Sequence, residues 1–377
     1  MSADIYLGVM SGTSLDGIDV AACRFSGKQI ERIAFYSVEW LPALRDQIME
    51  FATAEQVNMN DLVRSHFELA QEYASAIHAT LLVSNIPASM IRAIGLHGQT
   101  IRHLPTGPIP ATFQLGSGAA LAAITKIDVV SDFRAADIAL GGQGAPLMPM
   151  FDHYFLVSDS VDRLIVNIGG IANVTWLPKH AKPGEVVAFD SGPGNMLLDA
   201  TTRRYFGKPF DENGDIARSG KIDNDLLEEF LSHPYFALPP PKSTGRELFS
   251  ERFLENLNNK IAEGKLAPED ALSTLTELTA RSILKSFDVL TSSSSHIEII
   301  VSGGGAFNEY LLDRLRCNAP DNASILISDA VGIPAKAKEA VAFAFFACAF
   351  VESIAIHLPS TTGASHPTVL GSLSKGK

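Results

Sequence analysis

Short apolar runs alternate along this chain with clusters of glycine, serine and charged residues, and each cluster predicts where the backbone turns. Residues 5–10 and 18–25 are apolar runs of strand length, and residues 11–17 between them are small and polar, which predicts a β-hairpin. From about residue 41 to 82 the apolar positions, among them Leu62, Phe67, Leu69 and Tyr73, fall three and four apart, the spacing of helices. Residues 91–96 read as a buried strand ending in His97, Gly98, Gln99 and Thr100, and residues 129–137 as another that ends in charge at Asp132, Arg134 and Asp137. Residues 163–176 repeat the opening pattern of strand, glycine turn (Gly169, Gly170) and strand. The apolar run 186–189 delivers Asp190 at a strand tip, ahead of the turn Gly192, Pro193, Gly194 and a helical segment from Asn195 to Tyr205. Residues 272–290 predict an amphipathic helix. Residues 297–301 predict a buried strand that runs into Ser302, three glycines and Asn308. Residues 340–351 predict a buried helix of alanine and phenylalanine, too short for the roughly 20 residues that span a bilayer.

The two hairpins suggest two similar halves. We divide them as residues 1–130 and 131–377, with the final helix packing back on the first lobe. Residues 237–246, which include three consecutive prolines, read as a solvated polyproline linker, and the serines at 292–295 as a turn.

With 377 residues, 46% hydrophobic and 19% charged, the chain has the composition of a folded globular protein. The net charge of -12 gives no general attraction to nucleic acid or to an anionic membrane, so an anionic ligand must be met by local donors. Three cysteines without C-x-x-C spacing indicate neither a disulfide framework nor a zinc site. The first residues lack the basic start and long apolar core of a signal peptide, and the cytoplasm is the expected compartment.

Asp190 before a glycine turn and a helix start places a carboxylate beside free backbone N–H groups, the arrangement a phosphotransferase uses; a capped turn is the competing account. Ser11, Thr13 and Ser14 offer hydroxyls, while Gly12 and Gly17 let the backbone approach a ligand. This loop lacks the lysine of G-x-x-x-x-G-K-[ST], so a metal ion would have to supply positive charge. His97, Gln99 and Thr100 stand where ligand sites of α/β sheets collect, at a strand's C-terminal end. Arg134 can hold a substrate carboxylate through two parallel hydrogen bonds, or pair with a neighbouring aspartate. Three glycines at 303–305 can admit a flat ring or a phosphate.

Seven ordered runs, GVMSGTSLDGID, LHGQT, SDFRAADIALGGQGAPL, NIGGIANVT, FDSGPGN, PPPKSTGRE and SGGGAFN, resemble those of the anhydro-N-acetylmuramic acid kinases over residues 8–371. More broadly, three of the loops resemble the nucleotide-contacting loops shared by actin, sugar kinases and heat-shock chaperones. The resemblance implies an α/β protein of two ribonuclease-H-like lobes with a nucleotide cleft between them. It also implies the use of ATP and Mg²⁺, and the conversion of 1,6-anhydro-N-acetylmuramic acid, ATP and water to N-acetylmuramic acid 6-phosphate and ADP in cell-wall sugar recycling. By matched position, Asp190 would be the catalytic base. Gly12, Thr13, Ser14, Leu15, Asp16, Gly17, Ile18 and Asp19 would hold phosphates, with Asp16 and Asp19 holding Mg²⁺ through water. Gly169, Gly170, Asn173, Gly192, Gly194 and Asn195 would complete the nucleotide site, and Gly303, Gly304, Gly305 and Asn308 would border the adenosine. His97, Gln99, Thr100, Arg134 and Asp137 would meet the sugar. The partners implied are small molecules, and a homodimer is compatible with this reading. Residue chemistry alone leaves two alternatives: a conventional sugar kinase in which Asp190 deprotonates an alcohol, and a nucleotide-driven conformational ATPase. The polar set around Arg134 weighs against the second, because a protein client would meet an exposed apolar surface.

Overall fold

The first apolar run forms strand β1 (Ile5–Met10), in which every residue but the last is buried. A strand buried on both faces needs cover on both. In the computed structural model, which describes residues 4–12, 15, 17–245, 247–250, 252–290 and 296–377, that cover comes from opposite ends of the chain. Leu69, Tyr73 and Ile77 of the helix Met59–Val83 share one core with Ile5, Leu7 and Val9. The helix Lys338–Val351 also packs on β1. A Cβ at Gly8 would lie 1.8 Å from the Ala340 carbonyl oxygen. Helix and strand therefore meet at backbone distance, which only glycine permits.

The chain divides into two compact units, Met1–Phe155 with Ala337–Lys377, and Leu156–Lys336. In the first unit β1 is followed by β2 (Ile18–Ser26), β3 (Gln29–Val38), β4 (Ile91–Leu96), the separate hairpin β5 (Gln99–Leu104) and β6 (Ala111–Leu115), and β7 (Val129–Ser131). The strands β3, β2, β1, β4 and β7 lie side by side in that order. The pairs among β1, β2 and β3 are antiparallel, while β4 and β7 run parallel to β1. A terminal strand, Ser372–Ser374, closes the edge antiparallel to β7.

The second unit repeats this plan with β8 (Asp162–Ile168), β9 (Ile171–Leu177), β10 (Val187–Pro193), β11 (Ile297–Ser302) and β12 (Ala323–Ile327), in the order β10, β9, β8, β11, β12. Here too the first three strands are an antiparallel meander and the last two run parallel to the first. The echo between the hairpins is thus a complete topological repeat, and each unit has the ribonuclease-H-like strand order. The helix Pro268–Leu284 shares Ala280 and Ile283 with the sheet core, and Leu272, Leu275 and Leu278 with a second core around Phe230 and Phe249. Being covered on both sides, it is buried nearly all round and is not the amphipathic helix its pattern predicts.

Residues 131–155 belong to the first unit, so the division drawn at residue 130 falls too early. Asp152 forms a buried 2.8 Å ion pair with Lys338. Phe155 packs edge-on against Phe345 at 4.7 Å between ring centroids. The apolar run at 129 stops being a strand after Ser131, because Asp132 takes a left-handed conformation with φ of 58°. Among the described residues no helix is long and apolar enough to cross a membrane.

Candidate active site

In the second unit β10 is the edge strand, and Asp190 lies within it at a bulge, not at its tip. Asp190 pairs with Asn173 and Gly192 with Ala172, so Ser191 is an extra residue that re-aims its neighbours. The outer side of β10 is occupied here. The Asp190 N–H donates to the Lys242 carbonyl at 3.1 Å, and Tyr235 Oη donates to the Asp190 carbonyl at 2.7 Å. The Thr244 N–H donates to Asp190 Oδ2 at 2.9 Å. The proline-rich stretch is therefore no solvated linker, because its backbone covers the sheet edge and clamps one oxygen of the carboxylate. Oδ1 has no hydrogen-bond partner among the described residues. Burial pushes the Asp190 carboxyl up to about 6, against the Thr244 N–H, which lowers it, and with the Glu247 charge adding to the rise. Such a group is ionised at neutral pH and more basic than an ordinary aspartate, as a general base should be.

The strand ends of the same unit converge around Asn195. Its N–H donates to the Gly169 carbonyl at 2.8 Å, the Gly194 N–H donates to the Gly170 carbonyl at 2.9 Å, and Asn195 Nδ2 donates to the Ile168 carbonyl at 3.1 Å. A Cβ on Gly304 would lie 3.5 Å from Asn195 Nδ2, and one on Gly303, whose φ is 81°, 2.6 Å from Asn167 Oδ1. Gly169, Gly170, Asn195, Gly303 and Gly304 thus form one backbone-rich surface, with Gly170 and Gly304 exposed. Gly192, Gly194 and Gly305 are buried inside it and serve its packing. Asn308 is used otherwise: its Oδ1 accepts from the Leu311 N–H and caps the helix Glu309–Asn318. Asn173 is half-buried on β9 beside Asp190.

In the first unit Arg134 is the centre. Its Nη1 donates to the Gly144 carbonyl at 2.7 Å, and Nη2 lies 2.9 Å from His97 Nε2. A guanidinium only donates, so His97 Nε2 accepts and the imidazole proton sits on Nδ1. Burial, then the Arg134 charge, lowers the His97 pKa to about 3, which makes it a permanently neutral support for Arg134. Burial also draws Arg134 down to about 10, countered by Glu339 and Asp137, so it stays charged at neutral pH. Arg134 Nε and Gln99 Oε1 are buried without a partner among the described residues. A water or a ligand atom can complete the hydrogen bonding of buried groups left in this way. Thr100 is half-buried on β5, with Gln114 Nε2 3.4 Å from its Oγ1.

Three assignments in this unit change. Asp137 is 0% exposed and its oxygens accept from the Gly144 N–H at 2.6 Å, from Thr362 Oγ1 at 2.6 Å and from His357 Nε2. It ties the glycine turn to the C-terminal tail, and its full burial leaves no exposed oxygen for a sugar. Leu15 and Ile18 are core residues, 2% and 1% exposed, and can offer a phosphate only backbone. Gly12 and Gly17 are half-buried at the loop ends, while Thr13, Ser14 and Asp16 lie outside the described residues. A desolvated carboxylate that the sequence pattern does not single out is Glu339, in the first turn of the helix Lys338–Val351. Burial raises its pKa; Lys338 and Arg134 oppose the rise and the Asp19 charge adds to it. The sequence signal was a Lys-Glu pair at the head of an otherwise apolar helix.

Two copies of one ribonuclease-H-like plan, the second with a desolvated carboxylate on its third strand beside a glycine-lined surface, define a duplicated α/β phosphotransferase architecture. Residues 4–376 match the family model described as anhydro-N-acetylmuramic acid kinase. The anhydro-N-acetylmuramic acid kinase of Shewanella pealeana is 41% identical over 372 residues, which cover 99% of both chains. That of Saccharophagus degradans is 41% identical over 376 residues, again 99% of both. The chain belongs to the anhydro-N-acetylmuramic acid kinase family, and it is a kinase.

Proposed function

We propose that this chain opens the 1,6-anhydro ring of anhydro-N-acetylmuramic acid and phosphorylates O6 in one coupled reaction with ATP, releasing N-acetylmuramic acid 6-phosphate and ADP for cell-wall recycling. The observation that carries the reading is Asp190, a single desolvated base with one oxygen clamped by Thr244 and the other open. Water attacks C1 and gives its proton to Asp190, while the C1–O6 bond breaks. O6 takes the γ-phosphoryl group, whose bond to the β–γ bridging oxygen breaks as ADP leaves. A glycosidase needs a second carboxyl group to protonate the leaving oxygen. Here the phosphoryl group captures that oxygen, so one carboxylate suffices.

The remaining assignments follow from the same reading. The surface formed by Gly169, Gly170, Asn195, Gly303 and Gly304 takes part of the nucleotide, and the hairpin loop from Gly12 to Asp19 takes phosphate. Arg134, positioned by His97, and Gln99 take polar groups of the sugar, as their unpartnered Nε and Oε1 suggest. Mg²⁺ fits the first unit. Asp19 and Glu339 feel each other's charge, and Mg²⁺ takes one or two carboxylates and completes its shell with water and phosphate oxygens. When bound, the ion would neutralise charge on the phosphates.

The test is ADP release with Mg²⁺ on 1,6-anhydro-N-acetylmuramic acid, N-acetylmuramic acid and N-acetylglucosamine, for the wild-type chain and Asp190→Asn. Release with the anhydro sugar alone, lowered by about 10² to 10⁴ in the variant, is expected. Turnover of the reducing sugars would make this a conventional sugar kinase. Sugar-independent ATP hydrolysis would make it a conformational ATPase.

A further inference from the structure

The two neighbours of Asp190 in β10, Phe189 and Ser191, line a cavity of about 130 Å³ on which the sugar reading makes no demand. The lining carries positive charge. Lys242 and Lys285 both line it, and Lys242 Nζ sits 4.8 Å from the Tyr235 ring centroid, where among the described residues it donates only to the Tyr235 carbonyl at 3.3 Å. Its ammonium has further N–H groups to give. Lys285 pairs with Asp288 at 3.3 Å, so the lining side chains sum to one net positive charge. The second observation is Ser286, which lines the cavity, is 3% exposed and has a buried Oγ without a partner among the described residues. A buried hydroxyl left unpaired is costly, and a turn of its side chain toward the cavity would let a ligand atom pair with it. The apolar side chains of Phe236, Leu238 and Val289 also line it.

We propose that this cavity binds a small organic monocarboxylate, its carboxylate between Lys242, Lys285 and Ser286 and its carbon body against Phe236, Leu238 and Val289. The amphipathic lining selects against a bare inorganic ion. Asp288 and the C-terminal end of the helix Pro268–Leu284, which carries partial negative charge, leave too weak a field for a dianion. The site adjoins the base through the backbone, since the carbonyl of Lys242 holds the Asp190 N–H.

Butyrate is a suitable probe. Isothermal titration and thermal unfolding of the full chain are measured in sodium butyrate, in sodium chloride of equal ionic strength and in sodium phosphate, for the wild type, Ser286→Ala and Lys285→Gln. Butyrate should bind and raise the wild-type unfolding midpoint beyond the chloride control, as a ligand of the native state must. Binding should weaken about tenfold in each variant, the cost of one hydrogen bond to a charged group. Ser286→Ala, freed of an unpaired hydroxyl, should unfold no earlier than the wild type without ligand, which separates loss of binding from loss of fold. Equal binding in wild type and variants, equal effects of butyrate, chloride and phosphate, or no binding at all would overturn the proposal. Loss of the butyrate effect on adding the anhydro sugar would place the cavity within the sugar site, and would overturn it too.

Discussion

Replacing Asp190 by asparagine should stabilise the fold, and only where the native carboxylate is ionised. The carboxyl rises from 3.8 to about 6 in the folded chain, chiefly through burial. The unfolded chain therefore ionises more readily than the folded one, and wild-type stability falls as pH rises from about 4 to about 6. At 1.36 kcal/mol per unit the shift corresponds to ~3 kcal/mol. Asp190 is only half-buried, so solvent screening reduces this to ~1–2 kcal/mol. The substituted asparagine carries no such penalty, and its side-chain carbonyl can still accept the Thr244 N–H. For a unit of this size each kcal/mol moves the unfolding midpoint by roughly 2–4 °C. Calorimetric scans of both proteins at pH 4 and pH 8 should show the variant gaining several degrees on the wild type at pH 8 that it lacks at pH 4. A difference independent of pH, or one favouring the wild type more at pH 8, would refute the argument that burial raises the base. On the proposed mechanism the same substitution is expected to silence the enzyme, and the stability given up is then the cost of holding a reactive carboxylate out of water.

Three more expectations follow from the geometry. The acid limb of kcat/KM should fall with a midpoint near pH 6 as Asp190 protonates, and Thr244→Pro, which removes the N–H that favours the carboxylate, should move that limb to higher pH in a pH–rate profile. Arg134→Lys should raise KM for the sugar by about 10- to 100-fold, because a lysine cannot satisfy the Gly144 carbonyl, His97 and a ligand in one plane; His97→Ala should raise KM likewise, with no new ionisation between pH 5 and 8 in the rate profile. Asp137→Ala should lower stability by about 3–5 kcal/mol in denaturant titration, since it strips a buried partner from His357, Thr362 and the Gly144 N–H, while the fraction that folds keeps its KM for ATP.

Strands buried on both faces leave long apolar runs, and so β1, β4, β8 and β11 could be read directly from the sequence, along with the glycine clusters at their ends. Asp190 stood out for the same reason, as a charge abutting an apolar run. What hid were roles set by partners distant in the chain. The segment at Lys242 and Thr244 reaches Asp190 through backbone groups, which leave no side-chain signature, so three prolines there read as a linker. Asp137 looked like a ligand beside Arg134, yet its partners His357 and Thr362 lie 220 and 225 residues away. Leu15 and Ile18 matched a phosphate loop by position, while their side chains obey hydrophobicity and turn inward. Glu339 was passed over because the apolar run behind it dominates the pattern.

The return of the chain to the first unit sets an order of assembly. Strand β1 needs the helix Lys338–Val351 on one face, and β7 needs the strand Ser372–Ser374 beside it. The helix is not complete until residue 351 and the strand until residue 374, whereas every strand of the second unit is synthesised by residue 327. During synthesis the second unit can thus close first, while the first 155 residues wait with an uncovered sheet face that would attract other unfinished chains or a chaperone. A ribosome stalled before residue 338 would release a product with a complete Asp190 clamp and a first unit unable to finish folding.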